Sequence, residues 1–550
     1  MRKLFASLLV SSLAIGTAVA NETSIRSLQS GPQFGGTPVW DHGIHGEGQV
    51  VAVLDTGLDI NLCYFAEEDG SAPPINTGTP GGGFQWQNVN PARRKVIAYD
   101  FLYSCDQFPN APGCDNPNDP ADYDNQGHGT HAAASIAGDR LPAIVHDYAD
   151  AIAPGAKLVI QDAGFIGGDS CSQRPGIGCP VTMTPILDQA YKQGARIHSN
   201  SWGDRQGTPN NANPPTANYS QSARDVDAFV YSHPDMLVVF NTGNGSSYAP
   251  PAASLSAPGC AKNTLQVGGT RTATRGDDIL AGFSLIGPTR DGRIKPDVVG
   301  PAWVFAADAK VITGGECSVT QQGGTSWSSP SIAGAAALVR QYYTDGFYPT
   351  GVSTPSNRFT PTAALMKATI IAAARRVPSL QTPTTEVPSL PVPSFQQGFG
   401  FPVLDDALYF PGDTAKLRVA DVANTDGIAQ NETATVRFNV RAGSAFKVVL
   451  VWTDPAGVPR GVNDSTPELV NDLDLRVVTP SNATLYGNGS QPDHLNNVEA
   501  VSVDAPEAGT YTVTISGTHI AQGPRQGYAL VVTGNLDDVP QASRYRAVRH

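Results

Sequence analysis

The sequence predicts a doubly wound α/β domain with a mostly parallel sheet, followed by an all-β sandwich. Three observations carry this. Up to about residue 376, short continuous apolar runs alternate with helical patterns, as in βαβ units whose strands are buried on both faces. Residues 377–395 then hold Pro378, Pro383, Pro388, Pro391 and Pro393 with no helical period. Beyond residue 415 the helical patterns vanish and strand-length segments follow one another, as in a sandwich.

Residues 1–20 combine the positive Arg2 and Lys3, an apolar stretch from Leu4 to Ile15, and the small-x-small end Ala18-Val19-Ala20. That pattern reads as a secretory signal peptide, and its apolar part is shorter than the roughly 20 residues a membrane span needs. An exported protein with no membrane attachment after cleavage is expected. The first buried strand is 49–54 (QVVAVL), and similar runs follow at 157–161, 195–198, 236–240 and 264–267. Helical patterns occupy 131–137, 182–193, 220–231, 326–343 and 361–376. The proline-rich stretch is expected to be a surface excursion. Strand-like segments then lie at 434–440, 446–452, 473–479, 500–503, 509–516 and 527–532. The resulting plan is an α/β domain over 21–412, a β-sandwich over 415–536 and a tail over 537–550.

Composition narrows the functional classes. The 550 residues include 57 glycines and 44 prolines, loop-rich but below the roughly 25–30 % of low-complexity chains. Net charge is −13, which disfavours nucleic acid as a partner. Export makes disulfides plausible. Cys105 with Cys114 and Cys171 with Cys179 are close in sequence within Gly/Pro/Asn-rich stretches; Cys260 with Cys317 is a weaker pairing, leaving Cys63 as the odd thiol. No CxxC pair supports zinc.

Three motifs carry chemistry. Asp55-Thr56-Gly57 ends the first buried strand, where open α/β sheets bind ligands. An aspartic protease would need a second such carboxylate, and no second DTG or DSG exists. Gly127-His128-Gly129-Thr130-His131 opens an alanine-rich helix, placing a sterically open histidine where it can act as a general base. Gly323-Gly324-Thr325-Ser326 opens a helix of small residues. There the free N–H groups and the helix dipole favour negative charge developing beside the serine.

Together, the strand–DTG, GHGTH and GTSxxSP segments in the order Asp…His…Ser resemble the subtilisin family. The resemblance runs from about Gly35 to Leu408, with the closing QGFGFPVLDDAL similar to the family's end-of-domain segment. It implies Ser326 as nucleophile, His128 as acid–base, Asp55 as the group that orients His128, and His131 as structural. The segment VVFNTGNG implies that Asn244, rather than Asn241, completes an oxyanion hole with the Ser326 backbone N–H. Ser201, Trp202 and Gly203 correspond to the segment that pairs with substrate. The β region (FKVVLVWTD, LVNDLDL, NNVE) is similar to the C-terminal barrel of the KP-43-like group. Members of that group bind calcium, which implies Asp454, Asp472 and Asp474 as ligands of a structural ion. No cofactor is required for the chemistry.

Departures carry expectations of their own. Trp327 replaces the family's usual methionine after the nucleophile, removing an oxidisable sulfur. The 73 residues from Asp55 to His128 read as an enlarged surface loop with one disulfide. The interval between residue 21 and Asp55 leaves no room for the folding propeptide usual in secreted relatives. The function implied is a secreted serine endopeptidase, a monomer acting on protein or peptide substrates. The rival is a catalytically degenerate subtilase serving as an extracellular binding or adhesion protein.

Overall fold

A computed structural model describes residues 21–31, 35–77, 88–102, 124, 127–141, 146–165, 176–177, 182–203, 217–245, 250–271, 279–309, 317–537 and 548–549. The expected signal segment, Cys105, Cys114, Cys171 and Cys179 lie outside these residues.

The first layer is a parallel sheet built from β1 (Val50–Asp55), β2 (Val96–Phe101), β3 (Lys157–Asp162), β4 (Ile197–Asn200), β5 (Leu237–Asn241), β6 (Leu265–Thr270) and β7 (Val298–Pro301). In space the order is β2-β3-β1-β4-β5-β6-β7, every neighbouring pair parallel. The chain winds first to one side of β1 and then to the other. The crevice at the carboxyl end of β1 is therefore a topological switch point. Among the described residues, the helices that flank the sheet include α1 (His128–Ala137), α2 (Met183–Lys192), α3 (Gln221–Ser232), α4 (Thr325–Thr344) and α5 (Ala363–Ala372). Helices α1 and α4 pack on each other and on the sheet. Alanines fill α1 at 132–134 and α4 at 335–337, all buried, so these two helices approach closely.

One expectation needs correction here. The interval from Asp55 to His128 is not all surface loop, because β2 lies within it and is buried along its whole length. The proline-rich stretch lies at the surface and carries ordered structure. Ser379–Gln381 and Glu386–Pro388 form a hairpin that adds to the sheet edge through Ile279–Leu280. Its prolines sit at an edge, where a missing N–H costs no ladder bond.

The second layer pair is an antiparallel sandwich. One sheet orders β8 (Lys416–Val422), β14 (Tyr528–Gly534), β10 (Phe446–Val451) and β12 (Val498–Val503); the other contains β9 (Thr433–Val440), β11 (Asn471–Val478) and β13 (Gly509–Ile520). The first of these sheets is covered on both faces. Val448, Leu450, Leu530 and Val532 point into the sandwich. Val449, Val451, Ala529 and Val531 join the core of the α/β domain. This is why 446–452 reads as an unbroken apolar run rather than an alternating one.

Helix α5 is held at both ends by the sandwich. Asp421 of β8 accepts from Thr362 N (2.9 Å) and Thr362 Oγ1 (2.6 Å) at the N-cap. Lys447 of β10 donates to Ala372 O (3.1 Å) and Ala374 O (2.6 Å) at the other end. Each charge has the sign that complements the helix dipole.

One disulfide is present among the described residues, Cys63–Cys317, with Cα atoms 5.4 Å apart. This overturns the Cys260–Cys317 pairing and the assignment of Cys63 as the leftover thiol. Cys260 is buried beside Ala217 and Leu255, its Sγ donating to Ser256 O at 3.6 Å. Cys63 follows the Asp55 turn and Cys317 precedes the nucleophile hairpin, so the bridge joins two loops that frame the switch point.

Candidate active site

Three element ends meet at the carboxyl end of β1. Asp55, 2 % exposed, places Oδ1 2.6 Å from His128 Nδ1 at the first turn of α1. The approach depends on Gly129: a Cβ there would lie 2.1 Å from Gly57 O, so any side chain would push α1 off the Asp-Thr-Gly turn. Ser326 is the second residue of α4, reached through Gly324 at φ 155°, a backbone conformation that favours glycine. The indole of Trp327 packs against the His128 ring with centroids 4.7 Å apart and against His131 at 4.3 Å. Ser326 Oγ donates to Ser201 O (3.2 Å), and Ser201 Oγ donates back to Ser326 O (2.8 Å).

Electrostatics separate the two histidines. Burial pulls the pKa of His128 down, but the charge and hydrogen bond of Asp55, with Asp124 behind it, raise it overall. His131 is fully buried, and burial followed by the neighbouring His128 drops it to about 3. It is a neutral packing group, as the sequence implied.

The remaining expected residues line the same crevice. Asn244 is exposed, and its Oδ1 accepts from Thr325 N (2.8 Å) and Thr325 Oγ1 (3.0 Å). With the oxygen so held, the NH2 is the group left to donate. Asn241 is buried behind the serine, its Nδ2 3.5 Å from Ser326 Oγ. Trp202 packs against Phe240 (centroids 5.5 Å) and the cluster of Leu54, Leu102, Ala163 and Ile186. Gly203 sits so close to Ser256 that a Cβ would meet its Oγ at 2.5 Å.

Sequence reasoning missed a supporting acid. Asp124 accepts from Thr56 Oγ1 (3.0 Å), Gly127 N (2.8 Å), Thr130 N (2.8 Å) and Thr130 Oγ1 (2.6 Å). It thereby ties the Asp55 turn to the start of α1. Its signal was an acid just upstream of a helix N-terminus. Asp162, the neighbour of Asp55 across β3, is pushed up to about 8 by burial and accepts from Tyr99 OH (2.8 Å).

The three acids expected to hold calcium do not stay together. Asp454 lies at the domain interface, where the fully buried Lys262 ammonium donates to it, along with Val470 N (3.0 Å) and Asn471 N (2.7 Å). A cation already occupies that carboxylate, so Asp454 is removed from the ligand set. Asp472 and Asp474 do share a face of β11. The Oδ1 of each is buried without a hydrogen-bond partner, while His494 Nδ1 approaches Asp472 Oδ2 at 2.7 Å. Burial and the adjacent Asp474 raise Asp472 to about 6. This oxygen pair suits a hard cation.

Asp55, His128 and Ser326 are thus carried to one switch point of a parallel sheet by β1, α1 and α4. Comparison with known proteins gives the family. The Subtilase family model matches residues 46–400, and the Bacterial pre-peptidase C-terminal domain model matches 432–517. The chain belongs to the subtilase family. The Dictyostelium discoideum "Serine protease/ABC transporter B family protein tagA" is 27 % identical over 630 residues, covering 95 % of this chain and 32 % of that protein. Bacillopeptidase F of Bacillus subtilis is 23 % identical over 312 residues, covering 56 % of this chain and 18 % of its own length. The chain thus spans at most about a third of these curated relatives. Among solved structures, the serine protease of Aeromonas sobria is 15 % identical with a TM-score of 0.37, covering 90 % of this chain and 89 % of that one. Among the described residues, no helix is long and apolar enough to cross a membrane.

Proposed function

We propose that this chain is a secreted serine endopeptidase that hydrolyses peptide bonds through an acyl-enzyme on Ser326. The observation that carries the reading is the 2.6 Å Asp55–His128 bond, with Trp327, the residue after Ser326 at a helix N-terminus, packed on the same His128 ring. A substrate strand pairs along Ser201–Gly203, with apolar side chains accommodated near Trp202. His128 takes the proton of Ser326 Oγ as that oxygen adds to the scissile carbonyl. The Asn244 NH2 and the Ser326 backbone N–H receive the resulting oxyanion. As the C–N bond breaks, His128 returns the proton to the leaving amine. Water, deprotonated by the same histidine, then releases the acid product and frees Ser326. Asp55 holds the imidazole in the required tautomer throughout.

The segment 1–20 directs export, the enzyme acts as a monomer, and its substrates are proteins or peptides. A calcium ion at Asp472 and Asp474 would neutralise the β-domain carboxylates and takes no part in the chemistry. A fluorophosphonate probe should label the folded wild type and not Ser326→Ala, and casein should be cleaved only by the wild type. Absence of label on folded wild type would overturn the reading in favour of a binding protein on a degenerate subtilase fold.

A further inference from the structure

A second constellation of histidines and carboxylates sits at the opposite ends of the elements that carry Asp55 and His128. His45 and Glu47 immediately precede β1, and Asp139, His146 and Asp150 follow α1. His45 Nδ1 is 3.2 Å from Glu47 Oε1. The His45 and His146 rings pack at a tilt of 43° with centroids 4.8 Å apart. One donor atom from each of His45, Glu47 and His146 lies within 4.8 Å of the others. On its far side, His146 Nδ1 stands 3.4 Å from Asp139 Oδ1 and 3.7 Å from Asp150 Oδ2. Asp139 is 4 % exposed. Its Oδ1 and the His146 Nδ1 are both buried and pair with each other at a distance too long for a strong hydrogen bond.

We propose that His45, His146 and Glu47 bind a divalent zinc-class cation, with Asp139 and Asp150 holding the Nδ1–H of His146. Ligands in a tetrahedral zinc shell at ~2.0–2.1 Å from the metal stand about 3.3 Å from one another. The His45–Glu47 pair already has that spacing, and closing the His146 distance takes a modest side-chain movement. A metal-bound imidazole usually donates its other N–H to a carboxylate, which is the part that Asp139 and Asp150 are placed to play. Two imidazoles with one carboxylate select a borderline transition metal over calcium. At ~1.5 Å per helical residue and ~3.3 Å per strand residue, the ion would lie roughly 15–20 Å from the Asp55–His128 pair. It would be a clip joining the base of β1 to the far end of α1. The rival occupant is a proton: an imidazolium at His146 would sit between the two aspartates with no metal.

The test uses the full chain as Ser326→Ala, which cannot digest itself, stripped with chelator and titrated with zinc chloride by calorimetry and with cobalt by absorption spectroscopy. One equivalent of zinc and a tetrahedral cobalt spectrum are expected. His45→Ala/His146→Ala should weaken binding at least 100-fold, Asp139→Asn roughly 10–100-fold, and His494→Ala, in the other His/Asp cluster, not at all. No zinc uptake by Ser326→Ala, or equal uptake by the double variant, overturns the proposal. Should the double variant fail to fold by circular dichroism, Glu47→Gln at a half-exposed position decides instead, and unchanged affinity there is equally fatal.

Discussion

The two ends of the β1–α1 pair make a controlled comparison. At one end a single buried carboxylate meets a histidine across 2.6 Å, with the ring still 33 % exposed toward the crevice. At the other, a histidine stands between two buried carboxylates at 3.4 and 3.7 Å. The residue types are the same and the chemistry differs. One carboxylate bound to Nδ1 of a partly exposed ring suits proton transfer through the second nitrogen. Two carboxylates around an imidazole that packs on another imidazole make a place to hold a cation. Reach and surroundings, more than residue identity, separate a reactive histidine from a structural one.

If the first end is reactive, Asp55→Asn should lower kcat by about 10⁴-fold, because the amide selects the wrong tautomer, with little change in melting temperature. Steady-state hydrolysis of a peptide amide reads the first quantity and calorimetry the second; a large loss of stability with kcat retained would erase the contrast. Asn244→Ala should cost about 10²–10³-fold in kcat with KM nearly unchanged, whereas a KM effect alone would move Asn244 from the oxyanion to substrate binding. At the second end, Asp139→Ala should leave kcat within about twofold. It should cost roughly 1–3 kcal/mol in urea denaturation, because Arg94 Nη1, now 3.1 Å from Asp139 Oδ2, loses a buried partner. The smallest effect is on pH dependence. His128 must be neutral to act, and its pKa is raised overall. The acid limb of kcat/KM should therefore lie above the ordinary histidine value of about 6.5, falling tenfold per pH unit below it. A limb below that value would mean that Asp55 does not control the base.

Much of the active end was readable from the chain. The Asp, His and Ser each sit within a few residues of the glycines that permit their geometry: Gly129 records a close approach to Gly57, and Gly324 a backbone angle that favours glycine. Strand-length runs were equally plain where one or two faces are buried. What escaped was long-range and sterically unremarkable. The Cys63–Cys317 bridge spans 254 residues, and nothing near either cysteine names its partner. Asp454 looks like a calcium ligand in its own segment, and only the fold reveals that Lys262, 192 positions away, reaches it. Strand β2 lies in an interval rich in glycine, proline, asparagine and aspartate, and its apolar run is interrupted by Asp100. His45 and His146 carry no motif at all, since their meeting depends on β1 and α1 running side by side.

The clamp on α5 has a consequence in time. That helix is complete in the chain by residue 372, yet both of its terminal contacts and a share of the apolar surface around it come from strands made later. Synthesis at ~5–20 residues per second places β14 on the order of 10–30 seconds after α5. For that interval the α/β portion lacks one wall of its core. The sandwich thus works as a closing step, tying the packing of α5 and the α/β core to strands made well after the catalytic motifs.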